Sequence, residues 1–240
     1  MRPDMNRPVC ALLWAILLCP ALGGAAPASP EAAAQSTTVT GIPLDAPWKA
    51  TVYALARARF RHPAWGWQHC ERDYQLAAEV AKGDGLTLDT DVLFAAAFLH
   101  DMAAFPPYEQ AKGEHGDVAA IESEPILRDA GFPMAKFPAV QAAMREHMYY
   151  SKVGTIPEAV ALHDADSLDF LGAAGAARML ALTGEGKPDI QPAIRSLRRF
   201  VTEIPPKLVT NTAKRIGAQR AAELTRFLDS LRDETFDATI

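Results

Sequence analysis

The sequence predicts an all-α fold, a single helical bundle of about seven helices. Three observations predict it. Apolar residues recur at helical spacing through most of 46–236. Helix start and stop signals divide this stretch into separate segments. Alternating β-branched runs are absent. The bundle is organised around Phe94-Ala95-Ala96-Ala97-Phe98-Leu99-His100-Asp101. A segment apolar on every side is a buried core helix. Ending it on two metal-capable groups is costly unless they are paired or liganded.

Each element has its own signals. Trp48 to about Arg61 is the first helix, with Tyr53, Leu55 and Ala56 on an apolar side, and His62-Pro63 breaks it. The second runs from about Trp67 to Lys82 and stops at Gly83-Asp84-Gly85. Asp89 or Thr90 caps the third, the central helix, and Pro106-Pro107 force it to stop near the His-Asp pair. The fourth starts near His115 and ends at Gly131, with Pro133 beyond. Met134 to His147 is the fifth. Thr155-Ile156-Pro157-Glu158 has the spacing of a capping box with Pro in the first turn, opening the sixth. Residues 183–188 read as a loop. A last long helix from about Pro206 to Glu234 carries apolar Leu208, Ile216, Leu224, Phe227 and Leu231.

The N-terminus has a different character. Arg2 and Arg7 precede an apolar run, Val9 to Leu18, followed by Pro20 and the small residues Gly23-Gly24-Ala25-Ala26. That order is that of a secretory signal peptide, assigned to 1–26. The run is short for a membrane span. The expected location is therefore the periplasm, with an uncleaved membrane anchor as the alternative. Residues 27–45, rich in Ala, Ser, Pro and Thr through Thr40, read as a linker, and 46–236 as the single domain. Removing the signal takes Cys10 and Cys19 with it and leaves Cys70, so no intramolecular disulfide can form. The formal charge of −5 becomes −6 once two arginines and one aspartate are lost. An acidic domain without a basic stripe argues against nucleic acid as a partner, and against strong membrane association after signal removal.

Three neighbourhoods carry chemistry. His69 lies in Trp67-Gln68-His69-Cys70-Glu71-Arg72, with Arg72 on the same helix face. His100-Asp101 ends the central helix. His163-Asp164-Ala165-Asp166-Ser167-Leu168-Asp169 is a dense acidic segment. Asp164 and Asp166 cannot face one ion from a regular helix, whereas Asp166 and Asp169 share a face. Spacing alone does not say which acid turns inward. His115 opens a helix and His147 closes one; His62 and His163 read as structural. Trp65-Gly66-Trp67 reads as a packing anchor. Gly184-Glu185-Gly186-Lys187 lacks the spacing of a phosphate-binding loop.

His69, then His100-Asp101 about thirty residues on, then a later Asp in 164–169 resembles the HD-domain superfamily of metal-dependent phosphohydrolases. His69-x-x-Arg72 is similar to the opening motif of that family. Leu168 to Arg178 resembles the Gly-Ala-x-Gly-x-Ala-Arg stretch of one bacterial subfamily, and similarity continues through Lys207-Leu208, Ala218, Arg220 and Glu234. The resemblance implies a helical domain holding an ion through His69, His100, Asp101 and Asp166, with Asp164 as the alternative. Asp101 and Arg72 would be the catalytic pair, Arg72 stabilising charge on the transferring phosphoryl. His115, His147 and Asp164 are the candidates for a second ion or for phosphate. Ser167 stands where relatives often carry Lys or Arg.

Two imidazoles and two carboxylates suit a divalent ion: Mn, Co, Ni, Zn, Fe or Mg. The implied substrate is a small phosphorylated molecule, nucleotides included, whose phosphoester or pyrophosphate bond is cleaved by metal-activated water. The order His, His-Asp, His, His, Asp is also that of relatives with two metals, so an HD-type di-iron oxygenase is the first alternative. A module that binds metal or phosphate without turnover is the second.

Overall fold

In the computed structural model, residues 36–110, 112–184 and 189–236 are described. The signal assigned to 1–26 lies outside them. Among the described residues there are nine α-helices and no β-strand beyond an isolated bridge between Thr37 and Pro43. The helices are α1 (Pro47–Arg59), α2 (Trp67–Asp84), α3 (Thr90–Leu99), α4 (His115–Ala130), α5 (Phe137–Glu146), α6 (Pro157–Asp169), α7 (Gly172–Ala181), α8 (Gln191–Glu203) and α9 (Asn211–Glu234).

The all-α expectation holds, and α3 is its centre. Every residue from Val92 to Leu99 is buried, and Asp89 caps the helix by accepting from the N–H groups of Asp91 and Val92. Trp48 packs edge-on against Phe94, and Phe94 stacks on Phe98. Each such side chain contributes about 1.5–3 kcal/mol on burial. This is one apolar core. A second is built from α7, α8 and α9 with Leu168, Leu197, Phe200 and Leu224. α2 packs on α6, and both helices serve both cores: Cys70 and Leu162 face the first, Val80 and Leu168 the second.

Several boundaries differ from the sequence reading. The stretch read as linker is packed from residue 36: Ile42 is buried, and Val39 N–H donates to Glu71 and Tyr53. One apolar plug and a few backbone donors outweigh a linker-like composition. The Thr155–Glu158 capping box does not form. With Pro157 at its first position, α6 takes Ile156 as N-cap, and the Glu158 carboxylate instead accepts from Asp89 N–H at the start of α3. Met134–Lys136 is a separate 3-10 turn ahead of α5.

Two helices exceed the expected seven. A break after Asp169 separates α6 from α7, with Gly172 in the left-handed region at φ 68°. α8 was not anticipated, although Ala193, Ile194, Leu197 and Phe200 have helical spacing. The last helix starts at Asn211, not Pro206. Thr210 caps it, and Leu208 lies before it, buried against Gly217.

Candidate metal centre

Five elements deliver the polar groups of one buried cluster. The first turns of α2 supply His69, Arg72 and Asp73, spaced so that all three share a side of the helix. The end of α3 supplies His100 as its C-cap, and Asp101 follows. His115 is the first residue of α4 and His147 the C-cap of α5. α6 supplies Asp166 and Asp169. Gly116 makes the α4–α5 approach possible: a Cβ there would lie 2.6 Å from the Met144 carbonyl oxygen. That approach brings the Nε2 atoms of His115 and His147 within 3.0 Å.

The orientation of three imidazoles follows from their outer nitrogens. His69 Nδ1–H donates to Asp169 at 2.8 Å, His100 Nδ1–H to the Ala97 carbonyl at 3.0 Å, and His147 Nδ1–H to the Met144 carbonyl at 2.6 Å. Carboxylates and carbonyls only accept, so Nδ1 carries the proton in each. In the neutral form of each ring Nε2 is then bare, and all three Nε2 atoms face inward. His69 Nε2 lies 3.3 Å from His100 Nε2, 3.0 Å from Asp73, 3.2 Å from Asp166 and 3.5 Å from Asp101. The carboxylate of Asp101 stands between two imidazole pairs. Oδ2 is 3.5 Å from His100, and Oδ1 is 3.6 Å from His115 and 3.8 Å from His147.

Lone pairs facing lone pairs and carboxylates are unfavourable without a cation among them. Both oxygens of Asp73 and one of Asp166 are buried without a hydrogen-bond donor. Such groups are expensive unless liganded. Among the described residues, His69, Asp73, His100 and Asp166 have ligand atoms all within 4.8 Å of one another, as do His100, Asp101 and His147. The donor set, imidazole and carboxylate without thiolate, fits a hard or borderline divalent ion.

Protonation equilibria report the same crowding. Burial, together with neighbouring carboxylates, pushes Asp73 up to about 7, despite the pull of His69. Burial acts to raise Asp101 and Asp166, but the imidazoles outweigh it and hold both below the usual carboxylate range. Burial acts to lower His69 and His100, yet the carboxylates lift both above the ordinary imidazole value. His147 is different. Burial and then His100 lower it to about 4, leaving it neutral.

The supports are charged as well. Arg72 grips Asp169 with two donors, Nε at 2.9 Å and Nη2 at 2.8 Å. Arg178 reaches the same carboxylate from α7 at 2.8 Å, donates to the Ala64 carbonyl, and places Nη2 3.3 Å from His69 Nε2. The pull of His69 and these guanidinium groups holds the Asp169 carboxyl well below its usual range, against burial.

The sequence-derived set is thus partly reassembled. His69, His100, Asp101 and Asp166 meet, and His115 and His147 lie beside them. Asp164 turns away: its two oxygens accept from Val209 N–H, Thr210 N–H and the Thr210 hydroxyl. Arg72 is clamped on Asp169, not aimed at the opening, because a buried carboxylate draws a two-donor partner. Ser167 is buried, its hydroxyl donating to the His163 carbonyl. His163 is structural, as expected, lying 3.0 Å from the Glu146 carbonyl. Sequence reasoning missed Asp73, although it lies one turn beyond His69. It also missed Asp169 as the support of His69, and Arg178, whose approach spans 109 positions.

A cavity of about 310 Å³ opens on this cluster, touching Asp101, His115, Asp166 and Arg178. Trp65 lines it with its ring stacked on His62, centroids 3.9 Å apart, and also packs against the core around α3.

Residues 66–171 match the HD domain family. The HD domain match runs from the N-cap of α2 to just past α6 and so contains every imidazole and carboxylate of the cluster. Arg178 and helices α7–α9 lie beyond it. Similar folds occur in solved structures. Bacillus subtilis YpgQ in complex with ADP is 19% identical with a TM-score of 0.61, covering 78% of this chain and 97% of that one. A predicted HD superfamily hydrolase from an uncultured Thermotogales bacterium is 22% identical with a TM-score of 0.56, covering 79% and 94%. An HD-superfamily hydrolase from Bacillus thuringiensis is 21% identical with a TM-score of 0.53, covering 72% and 87%. At these identities the likeness is one of fold. No curated protein matches the chain.

Proposed function

We propose that this protein is a divalent-metal-dependent hydrolase of the HD-domain kind, cleaving a phosphate ester or pyrophosphate bond. One observation carries the reading. Imidazole nitrogens and donor-less carboxylate oxygens converge in one buried cluster, and Asp101, Asp166 and His115 of that cluster line a ligand-sized cavity. His69, His100, Asp101 and Asp166 would hold the ion, with Asp73 beside them. When bound, a divalent ion supplies Lewis acidity, acidifying water and polarising a phosphoryl oxygen.

The residues of the chain do the rest. Asp169 fixes the tautomer of His69 and keeps its Nε2 bare. Arg178, on the cavity wall but held by Asp169 and the Ala64 carbonyl, would act there only as a fixed positive charge beside a bound phosphoryl group. The buried surroundings strengthen each of these interactions. The ADP in the YpgQ complex supports a phosphorylated small molecule as the class of substrate. Export, with the periplasm as the site of action, is part of the proposal and rests on the basic and apolar N-terminus. Among the described residues no helix is long and apolar enough to cross a membrane.

A second reading has its own observation. The two oxygens of Asp101 face different imidazole pairs, an arrangement suited to bridging two ions. Elemental analysis of the purified protein, paired with a phosphate-release assay, separates the cases. The expected result is Mn, Co, Ni or Zn bound and phosphate or pyrophosphate released, with turnover abolished in Asp101→Ala. Two irons per chain without phosphate release would replace hydrolysis by di-iron oxygenation. Bound metal without any turnover would leave a binding module.

A further inference from the structure

The cavity over the cluster is walled by apolar side chains: Trp65, Ala104, Met148, Phe170 and Met179. Among the described residues, Arg178 is the one Lys or Arg that lines it, and it is already engaged. It binds Asp169 and the Ala64 carbonyl, and its guanidinium lies 4.6 Å over the Phe170 ring. Around the cluster, the carboxylates of Asp73, Asp101, Asp166 and Asp169 stand against two guanidinium groups, Arg72 and Arg178. Both guanidinium groups are committed to Asp169, so neither is free to take the extra charges of a nucleoside di- or triphosphate tail.

The space beside it does not take those charges either. A recess of about 270 Å³ on the far side of His115 contains Arg145, but Arg145 donates to Asp117 at 3.1 Å, and Glu114 adds another acid. The main cavity is also at the small end of the range for organic ligands. Its volume suits a phosphate and one compact apolar group. Trp65 offers a ring face, and the thioethers of Met148 and Met179 adapt to an aromatic edge.

We propose that the site takes a phosphomonoester of a small apolar or aromatic alcohol, in preference to nucleoside di- and triphosphates. This rests on the phosphohydrolase reading above. In the reaction a bond forms between the oxygen of water and phosphorus, and the bond from phosphorus to the alcohol oxygen breaks. The proton lost by water ends on that oxygen, so the products are inorganic phosphate and the alcohol.

The test uses the full protein loaded with Mn²⁺. Turnover is measured on 1-naphthyl phosphate, glycerol phosphate, ADP and ATP. In parallel, calorimetry measures binding of 1-naphthylmethylphosphonate, which cannot be hydrolysed at that bond, and of ADP. The expected kcat/KM for naphthyl phosphate exceeds each of the others by about tenfold or more, the scale of burying one aromatic group. Met148→Lys, which puts a cation on the apolar wall, should narrow the gap between naphthyl phosphate and ADP several-fold. ADP or ATP cleaved as efficiently as naphthyl phosphate overturns the substrate class. If nothing is cleaved, the hydrolase reading falls, and calorimetry still decides the pocket. Phosphonate bound about tenfold tighter than ADP upholds the apolar preference; ADP bound equally or more tightly overturns it.

Discussion

The two imidazole pairs share Asp101 and differ in everything else. His69 and His100 are buried and crowded by Asp73 and Asp166; Asp169, with two arginines behind it, backs His69, and the Ala97 carbonyl backs His100. His115 and His147 have Asp101 near them at 3.6–3.8 Å, and His115 is about one-third exposed. The first pair lies in a set of ligand atoms compatible with a divalent ion. The second needs no ion, since His147 is neutral and His115 can donate to it across 3.0 Å. A strong site and an optional one can therefore sit on either side of one carboxylate.

The largest effect should come from the support of the first pair. Asp169→Ala strands Arg178 and the His69 imidazole in a buried place and frees the partly exposed Arg72, and is expected to cost about 3–5 kcal/mol. It should also weaken metal binding roughly 10–100-fold. Denaturant unfolding and a metal titration read the two losses. An undiminished metal affinity would break the contrast, because the first pair would then need no backing.

Next come the two acids two residues apart on α6. Asp166→Ala should empty the first site while leaving the fold standing. Asp164→Ala should leave metal content unchanged and cost about 1–3 kcal/mol, the penalty for orphaning the donors of Val209 and Thr210. Metal lost with Asp164 and kept without Asp166 would invert the assignment. Removing His115 and His147 together should leave the ion of the first pair bound. Elemental analysis would show halved content only if two ions are normally held.

The smallest effect calibrates the others. Asp84 is a carboxylate held by donors at the start of α9, accepting from Asn211 N–H at 3.0 Å and Thr212 N–H at 2.8 Å. Hydrogen bonding from Thr212 and Asn211 holds its pKa below the usual value. A lowered folded-state pKa gives stability that is present above the unfolded value near 4 and is lost as pH falls through the folded one. Asp84→Ala should lower stability at neutral pH by less than about 1 kcal/mol, the size of a helix cap, because solvent screens so exposed a group, and the deficit should shrink in acid. Unfolding midpoints at pH 7 and pH 3 measure it.

The strong site was more legible in the sequence than the rest because its residue types are rare at core positions. A helix as apolar as α3 that ends on His100-Asp101 asks for a partner or an ion there, and His69 joined the pair through its resemblance to the opening motif of the HD-domain superfamily. Asp166 was preferred over Asp164 by resemblance alone. What decides between them is the start of α9, packed against Asp164 from 46 positions away. Asp73 was overlooked although it carries the signal of one turn from His69. Arg178 stood in a motif without a role, because its target lies across the fold. α8 was missed even though its apolar spacing was present, and the break before Gly172 went unread because it depends on one backbone angle.

The placement of α2 and α6 bears on how the chain unfolds. Each lends one side to the core around α3 and the other to the core under α9, and each carries groups of the cluster between them. Neither half of the molecule can melt without loosening these two rods. An ion held there acts on both halves at once, raising the stability of the whole body in proportion to the logarithm of its free concentration. Heating should accordingly give one cooperative transition that moves as a unit when a chelator is added, rather than a metal-sensitive half that melts ahead of an indifferent one.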